Sequence, residues 1–208
     1  MSEPVVYIVD DDPSARRGLT RLVRAAGMKA QSFPSARKFL ASEGRGGPGC
    51  IVLDVRMPEM TGHELQEELA KAEYCMPIVF LSAHADVPIA SRAMKKGAVD
   101  FLTKPVDKDD LLGAIRASLA KDAENRSRWM EKNSIHERLG KLTSREREVL
   151  TWVITGLLNK QIAGEMKISE ETIKVHRGRV MQKLGVGSVA DLVRLCEKAR
   201  IPPAEPRR

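Results

Sequence analysis

Carboxylates and a lysine stand directly after three short apolar runs in the first half of the chain. Asp10, Asp11 and Asp12 follow the first run, Asp54 ends the second and Lys104 comes shortly after the third. Clustered carboxylates repel one another unless a cation lies between them, and ligands that are all oxygen select a hard ion such as Mg²⁺. A carboxylate beside Mg²⁺ and an ammonium can attack phosphorus, because the cations neutralise charge on the transferring phosphoryl oxygens. These residues therefore predict Mg²⁺-dependent phosphoryl transfer.

Each polar residue of this set has an expected role. Asp11 and Asp54 would bind Mg²⁺ directly, Asp10 would bind it through water, and the backbone carbonyl of Arg56 would complete the octahedron. Asp54 would be the nucleophile. Ser82, at the end of a further apolar run, would donate a hydrogen bond to the phosphoryl oxygen, and Lys104 would supply the ammonium.

The elements that position these residues follow from the alternation of apolar runs and helix-like segments. Strands are predicted at 5–9, 28–33, 50–54, 76–82 and 98–103, and helices at 13–27, 34–42, 62–72, 86–96 and from 107. Five such βα repeats predict an α/β fold, a flavodoxin-like parallel sheet with right-handed crossovers. Because the carboxyl ends of parallel strands meet at one edge, the carboxylates and the lysine should converge there.

The charge of the chain is unevenly distributed between its two halves. Of the net charge of +7 in 208 residues, none lies in residues 1–120, where sixteen basic residues balance sixteen acidic ones. The basic remainder predicts contact with a polyanion. The three scattered cysteines predict reduced thiols in a cytoplasmic protein, and the lack of a leader or an apolar run of ~18 residues predicts no membrane partner.

The rear of the chain keeps a helical period from Leu139 onward, with no strand signal. Helix starts are predicted at Thr143, Asn159, Ser169 and Ser188, each of a type that caps helices. We expect an all-α module of four short helices at 139–208, the α/β domain at 1–120 and a helical linker at 121–138. Two of the helices form a helix-turn-helix, whose second helix buries Ile173, Val180 and Leu184 and exposes cations suited to the major groove and its flanking phosphates.

Residues 1–120 resemble the receiver domain of two-component response regulators. The resemblance rests on the acidic cluster at 10–12, on Asp54 within 53–62, on Ser82-Ala83 and on 101–105. It implies that Asp54 accepts a phosphate, that Asp10 and Asp11 hold Mg²⁺, and that the Lys104-Pro105 bond is cis. Phe101 stands where the family often has tyrosine as its rotamer switch. Arg56 and His84 occupy positions that tune phosphate lifetime in receivers, or are a solvated arginine and a loop histidine. His63 and His136 are expected to be ordinary surface residues.

The rear module resembles the LuxR-type DNA-binding domain. Its matching residues are Thr143, Arg145, Glu146, Asn159, Ile162, Ala163, Thr172, Val175, His176, Lys183 and Leu184. The expected DNA contacts are Lys160, Thr172, Lys174, Val175, Arg177, Arg179 and Lys183, with Lys174 and Val175 reading bases. Gly178 departs from relatives that carry a base-reading side chain there, so their specificity does not transfer.

Together the two resemblances imply a phosphorylation-switched transcription regulator similar to the FixJ/NarL branch. The expected partners are a sensor histidine kinase, promoter DNA, RNA polymerase and, after phosphorylation, a second copy of the chain. A regulator that binds DNA without phosphorylation remains an alternative. A phosphatase of the haloacid-dehalogenase type would need a second aspartate two residues after Asp54, where this chain has Arg56, so no enzyme beyond slow self-hydrolysis is expected.

Overall fold

The computed structural model describes residues 3–43, 47–71, 76–83 and 87–205. The chain forms two compact units, residues 1–127 and residues 128–208. The predicted start of the fourth helix at Asp86, the thiol of Cys75 and the side chain of His84 lie outside the described residues.

The first unit is built on a parallel sheet with the predicted order of strands. The strands are β1 (Val5–Val9), β2 (Lys29–Phe33), β3 (Gly49–Asp54), β4 (Ile78–Ser82) and β5 (Asp100–Thr103). They lie side by side in the order β2-β1-β3-β4-β5, and all four pairings are parallel. This order confirms the flavodoxin-like fold. The register pairs Val9 with Leu53 and Asp54 with Leu81, so the polar strand ends lie along one edge.

Helices cover both faces of the sheet. They are α1 (Pro13–Ala25), α2 (Ala36–Leu40), α3 (Gly62–Ala70), α4 (Val87–Lys95) and α5 (Lys108–Gly140). Asp12 caps α1 as predicted, by accepting a hydrogen bond from the backbone N–H of Ser14 at 2.8 Å. Helix α2 is shorter than predicted because Ser35 is its N-cap, which excludes Pro34 from the helix. All six residues of β3 are buried, as expected of a central strand covered on both faces.

Helix α5 runs without interruption through the segment predicted to be a linker. Its residues Leu111, Ile115 and Ser118 are completely buried, and Asp122 on the same face is only 1% exposed. The Asp122 carboxylate accepts a hydrogen bond from the backbone N–H of Gly49 at 3.1 Å. The start of the predicted linker is therefore anchored to the amino end of β3.

The second unit is the predicted group of four helices, with the end of α5. The helices are α6 (Ser144–Val153), α7 (Asn159–Met166), α8 (Glu170–Leu184) and α9 (Val189–Lys198). They enclose one apolar core that includes Val149, Ile162, Ile173 and Leu192. The predicted caps Thr143, Ser169 and Ser188 are confirmed. The prediction that Asn159 is a cap was wrong: Asn159 is the first helical residue of α7, and Leu158 occupies the N-cap position.

Across the described ranges, no helix combines the length and the apolar character needed to cross a bilayer.

Candidate metal centre and nucleic-acid interface

The carboxylates and the lysine converge at the carboxyl edge of the sheet. One oxygen each from Asp10, Asp11 and Asp54 lies within 4.8 Å of the others. The Nζ atom of Lys104 lies 2.8 Å from Asp10 Oδ2 and 2.9 Å from Asp54 Oδ1. Asp10 is 1% exposed and Asp54 is 8% exposed, whereas Asp11 faces solvent. The cluster is thus sheltered at its base and open on one side.

Backbone contacts hold the base of this cluster in place. Asp10 Oδ1 accepts the backbone N–H of Asp12 at 2.9 Å, while a guanidinium nitrogen of Arg16 donates to the Asp10 carbonyl at 2.7 Å. On the other side, Gly62 begins α3 so close to Asp54 that an added Cβ would lie 2.4 Å from the Asp54 carbonyl oxygen. The absence of a side chain at Gly62 lets α3 start directly beside the carboxylate.

The pKa values of the cluster reflect burial and crowding. Burial is the main reason that the pKa of Asp54 is raised; Asp10 and Asp11 raise it further, and Lys104 opposes them. Burial lowers the pKa of Lys104, but hydrogen bonds and charge interactions with Asp10 and Asp54 outweigh it, so this pKa is raised overall. Lys104 is therefore protonated at neutral pH, and Asp54 favours a further cation. Three carboxylate oxygens this close fit the ligand set of Mg²⁺, and receiver domains generally bind Mg²⁺ through such acidic residues.

The other residues predicted for the pocket lie on β3, β4 and β5 or just after these strands. Ser82 is buried at the end of β4, and its carbonyl accepts the backbone N–H of Lys104 at 2.7 Å. The bond between Lys104 and Pro105 is cis, as expected. Phe101 is half-buried, with its ring centroid 6.2 Å from that of Phe80. Arg56 is exposed beyond the end of β3.

The expectation for one histidine was wrong. His63 is half-buried, and its ring centroid lies 5.1 Å from that of Phe80. Burial, followed by the nearby charges of Arg92 and Lys96, lowers the pKa of His63. Sequence reasoning missed this because His63 follows Gly62, whose close approach to β3 draws the first turn of α3 inward. His136 is exposed, as expected.

Helix α8 has the two faces that the sequence predicts. Ile173, Val180 and Leu184 are completely buried against the core of the second unit. The opposite face exposes Thr172, Lys174, Val175, Gly178 and Arg179, and Lys160 is exposed in the first turn of α7. An exposed cationic helix after a tight turn is the arrangement by which helix-turn-helix proteins enter the major groove.

Two of the cations assigned to DNA are engaged inside the second unit. Lys183 lies 2.7 Å from Glu146 Oε2 and also donates to the carbonyl of Lys141 at 3.1 Å. Arg177 donates to Asn159 Oδ1 at 2.9 Å, which ties α8 to α7. The hydrogen bond from Lys183, together with that from the Thr143 backbone, lowers the pKa of Glu146 to about 2. These two side chains are therefore positioned to hold helices together.

Comparison with known proteins agrees with both halves of the molecule. Residues 6–116 match the response regulator receiver domain, and residues 140–196 match the luxR family of bacterial regulatory proteins. The chain is 45% identical over 196 residues to the response regulator protein TodT of Pseudomonas putida, covering 94% of this chain and 86% of that protein. It is 39% identical over 200 residues to the transcriptional regulatory protein FixJ of Azorhizobium caulinodans, with coverage of 96% and 95%.

A solved structure is similar over nearly the whole chain. The response regulator StyR is 48% identical and superposes with a TM-score of 0.86, covering 95% of this chain and all 100% of that one. These relatives are transcriptional response regulators with DNA-binding domains, and that family is not enzymatic. This chain therefore belongs to the two-component response regulators of the FixJ/NarL type, which join a receiver domain to a LuxR-type DNA-binding domain.

Proposed function

We propose that this regulator is switched by phosphorylation of Asp54, with the phosphate supplied by a sensor histidine kinase. The observation that carries the proposal is the position of Lys104 Nζ between Asp10 and Asp54, 2.8 and 2.9 Å from their oxygens. A phosphoryl group on Asp54 would lie beside an ammonium that is already held in place. In a regulator that is not phosphorylated, the repulsion among three crowded carboxylates would have no functional purpose. We take residues 1–120 as the receiver, 121–138 as the linker and 139–208 as the DNA-binding domain.

The transfer itself needs a nucleophile and compensation of charge. An oxygen of ionised Asp54 attacks the phosphorus of the kinase phosphohistidine; the P–N bond breaks and the imidazole leaves with the bonding electron pair. Mg²⁺ held by Asp11, Asp54 and the Arg56 carbonyl, and by Asp10 through water, would neutralise charge on the phosphoryl oxygens. Lys104 contacts one of these oxygens and the Ser82 hydroxyl donates to another.

Intact mass spectrometry after incubation with acetyl phosphate and Mg²⁺ tests the acceptor. We expect wild type to gain one phosphoryl group and Asp54→Asn to gain none. Asp12→Asn is the matched control, because asparagine also caps helices and Asp12 is engaged at the start of α1. Phosphate on the Asp54→Asn chain, or its loss from the control, would contradict the assignment.

For the output, we propose that α8 lies in the major groove of promoter DNA, with Lys160, Thr172, Lys174 and Arg179 toward the backbone and Val175 against a base. Lys174 was expected to read bases, but it lies about 100° around the helix from Val175, which favours a contact with a phosphate instead. Arg177 and Lys183 were also expected to contact DNA. Their contacts with Asn159 and Glu146 favour a structural role instead, in which they hold α8 against neighbouring helices.

The salt dependence of binding separates these two roles. Lys174→Ala and Arg179→Ala should each reduce the slope of log K against log salt by about one. Lys38→Ala removes an equal charge from an exposed position on α2 and should leave the slope unchanged. Lys183→Ala should mainly lower thermal stability, because it leaves the Glu146 carboxylate without its cation. Slopes that fail to change for Lys174 and Arg179 would refute the interface.

Phosphorylation and DNA binding would be linked through dimerisation. We propose that the phosphoryl group draws Ser82 inward, that Phe101 fills the space behind it, and that the face over α4 and β5 changes shape. That face comprises Val87, Ser91, Met94, Lys95 and Val99, and Val87 and Met94 are exposed apolar residues. A phosphorylated two-fold dimer would place two DNA-binding domains on paired half-sites, where they could engage RNA polymerase.

Sedimentation with and without beryllofluoride, a phosphoryl mimic, tests the dimer. The mass should double with the mimic, and Ser91→Glu or Met94→Glu should prevent the increase because each places a charge in the interface. Lys38→Glu on α2 is the control for a surface charge elsewhere. A dimer that survives both variants would exclude this face.

A further inference from the structure

The exposed surface of α8 has a midline that carries no cation. At about 100° per residue, Glu171, Val175, Gly178 and Gln182 fall along one line of the helix. All four are exposed, and the line lies opposite the buried residues of α8. This line, here called the α8 midline, is the part of the helix that would face the floor of a groove.

The exposed cations of α8 lie on either side of this midline. Lys174 lies on one side and Arg179 on the other, and neither is in an ion pair with the described part of the chain. Phosphates form the two walls of the major groove, while base edges form its floor. The distribution of charge therefore fits a helix whose flanks contact phosphates and whose midline reads bases.

Glu171 is the exception within this pattern, because it brings a negative charge to a surface that meets a polyanion. Its carboxylate forms no hydrogen bond or ion pair with the residues placed by the structure. An acidic residue in the first turn stabilises a helix through the macrodipole. Glu170 supplies the same benefit from outside the midline. Helix stability thus does not require the second carboxylate.

An ionised carboxylate can only accept hydrogen bonds, so its partner must be a donor. In the major groove, cytosine and adenine both present an exocyclic amino donor, but that of adenine lies beside the N7 acceptor, which repels a carboxylate. Acidic side chains therefore pair with cytosine, whose amino group has no neighbouring acceptor on that edge. Helix-turn-helix proteins contact base edges with the amino-terminal part of the recognition helix, where Glu171 stands. We propose that Glu171 is a specificity-determining residue that reads the 4-amino group of a cytosine and repels other bases at that position. This inference rests on the proposed docking of α8 in the major groove.

Selection from a randomised duplex pool by the full-length, acetyl phosphate-treated protein tests the inference. Wild type, Glu171→Gln and Glu170→Gln are compared, with Glu171→Ala as a second variant and circular dichroism as a check of folding. We expect wild type to select cytosine at one position, and the preference to fall about 5- to 100-fold in both Glu171 variants. Glu170→Gln should keep the wild-type preference, because it removes an equal charge from the same turn.

The possible results separate this inference from the proposal beneath it. If wild type selects no sequence at all, the docking of α8 is refuted and the role of Glu171 falls with it. If wild type selects a sequence and the Glu171 variants select the same bases with the same ratios, docking stands and the role of Glu171 is refuted. A relaxed preference in Glu170→Gln equal to that in Glu171→Gln would show a general charge effect and would also overturn the inference.

Discussion

Replacing Lys104 with methionine should expose how much the carboxylate cluster depends on a cation. The change keeps an unbranched side chain but leaves Asp10 and Asp54 without the ammonium that lies 2.8 and 2.9 Å from them. Removing one partner of a buried ion pair costs about 3–5 kcal/mol. Because the Lys104 side chain is 24% exposed, water screens part of this, and we expect a loss of about 2 kcal/mol in the free energy of unfolding.

Calorimetry of the full chain without divalent metal measures this loss in the transition of the first unit. For a unit of this size, about 2 kcal/mol corresponds to a fall in Tm of roughly 8 °C. The variant should regain stability in two ways. Mg²⁺ should stabilise it more than wild type, because the metal replaces the missing charge. Lowering the pH should also reduce the deficit, because Lys104 lowers the pKa of Asp54 in wild type, and without it the Asp54 carboxyl is protonated more readily.

Lys71→Met is the control for this experiment. Lys71 pairs with Glu68 at 2.6 Å, but both side chains are largely solvated, so the cost should stay below about 1 kcal/mol. If Lys104→Met loses the same stability with and without Mg²⁺ and at every pH, the loss comes from packing and the electrostatic reasoning is refuted.

Three further results are expected. Gly62→Ala should lower the free energy of unfolding by about 1–3 kcal/mol in denaturant titrations, because its Cβ would lie 2.4 Å from the Asp54 carbonyl oxygen. Glu146→Gln should remove an acid-sensitive part of the stability: the pKa of Glu146 is lowered from 4.5 to about 2, so wild type loses this contribution as the pH falls through that window and the variant does not. Leu158→Ser should raise stability by about 1 kcal/mol, because Leu158 is 70% exposed at an N-cap position that serine fills well; no rise in Tm would contradict that reasoning.

The convergence of the pocket residues could be predicted from the sequence because it depends on two features that a sequence reveals. These are the alternation of strands with helices and the position of each polar residue at the end of a strand. Alternating runs fix a parallel sheet, and a residue that ends a parallel strand must lie at the carboxyl edge with the others. The sequence alone was therefore enough to predict that Asp10, Asp54 and Lys104 lie close together. The same reasoning predicted which side of α8 is buried, since helical spacing fixes the face on which Ile173 and Val180 lie.

The partners of long polar side chains could not be predicted in this way. Helical spacing says which side of α8 carries Lys183, but its contact with Glu146 depends on how α6 crosses α8 in three dimensions. The burial of Asp122 did leave a signal, since it continues the line of Leu111, Ile115 and Ser118 at steps of three or four residues. From the sequence alone, a carboxylate on the buried face of a helix is easily predicted to be exposed. Its burial becomes understandable only when the backbone N–H that donates to it is known, here that of Gly49.

The anchoring of Asp122 to Gly49 has a consequence for anyone who divides the molecule by limited proteolysis or truncation. A fragment that stops at residue 120 loses both Asp122 and Arg126, whose guanidinium donates to the Gly47 carbonyl at 2.6 Å. The N–H of Gly49 then loses its Asp122 acceptor at the amino end of β3, at a cost of about 1–3 kcal/mol. A fragment that extends to residue 127 keeps both contacts. The shorter piece should be cleaved faster and unfold at lower temperature, although it retains every residue of the phosphorylation pocket.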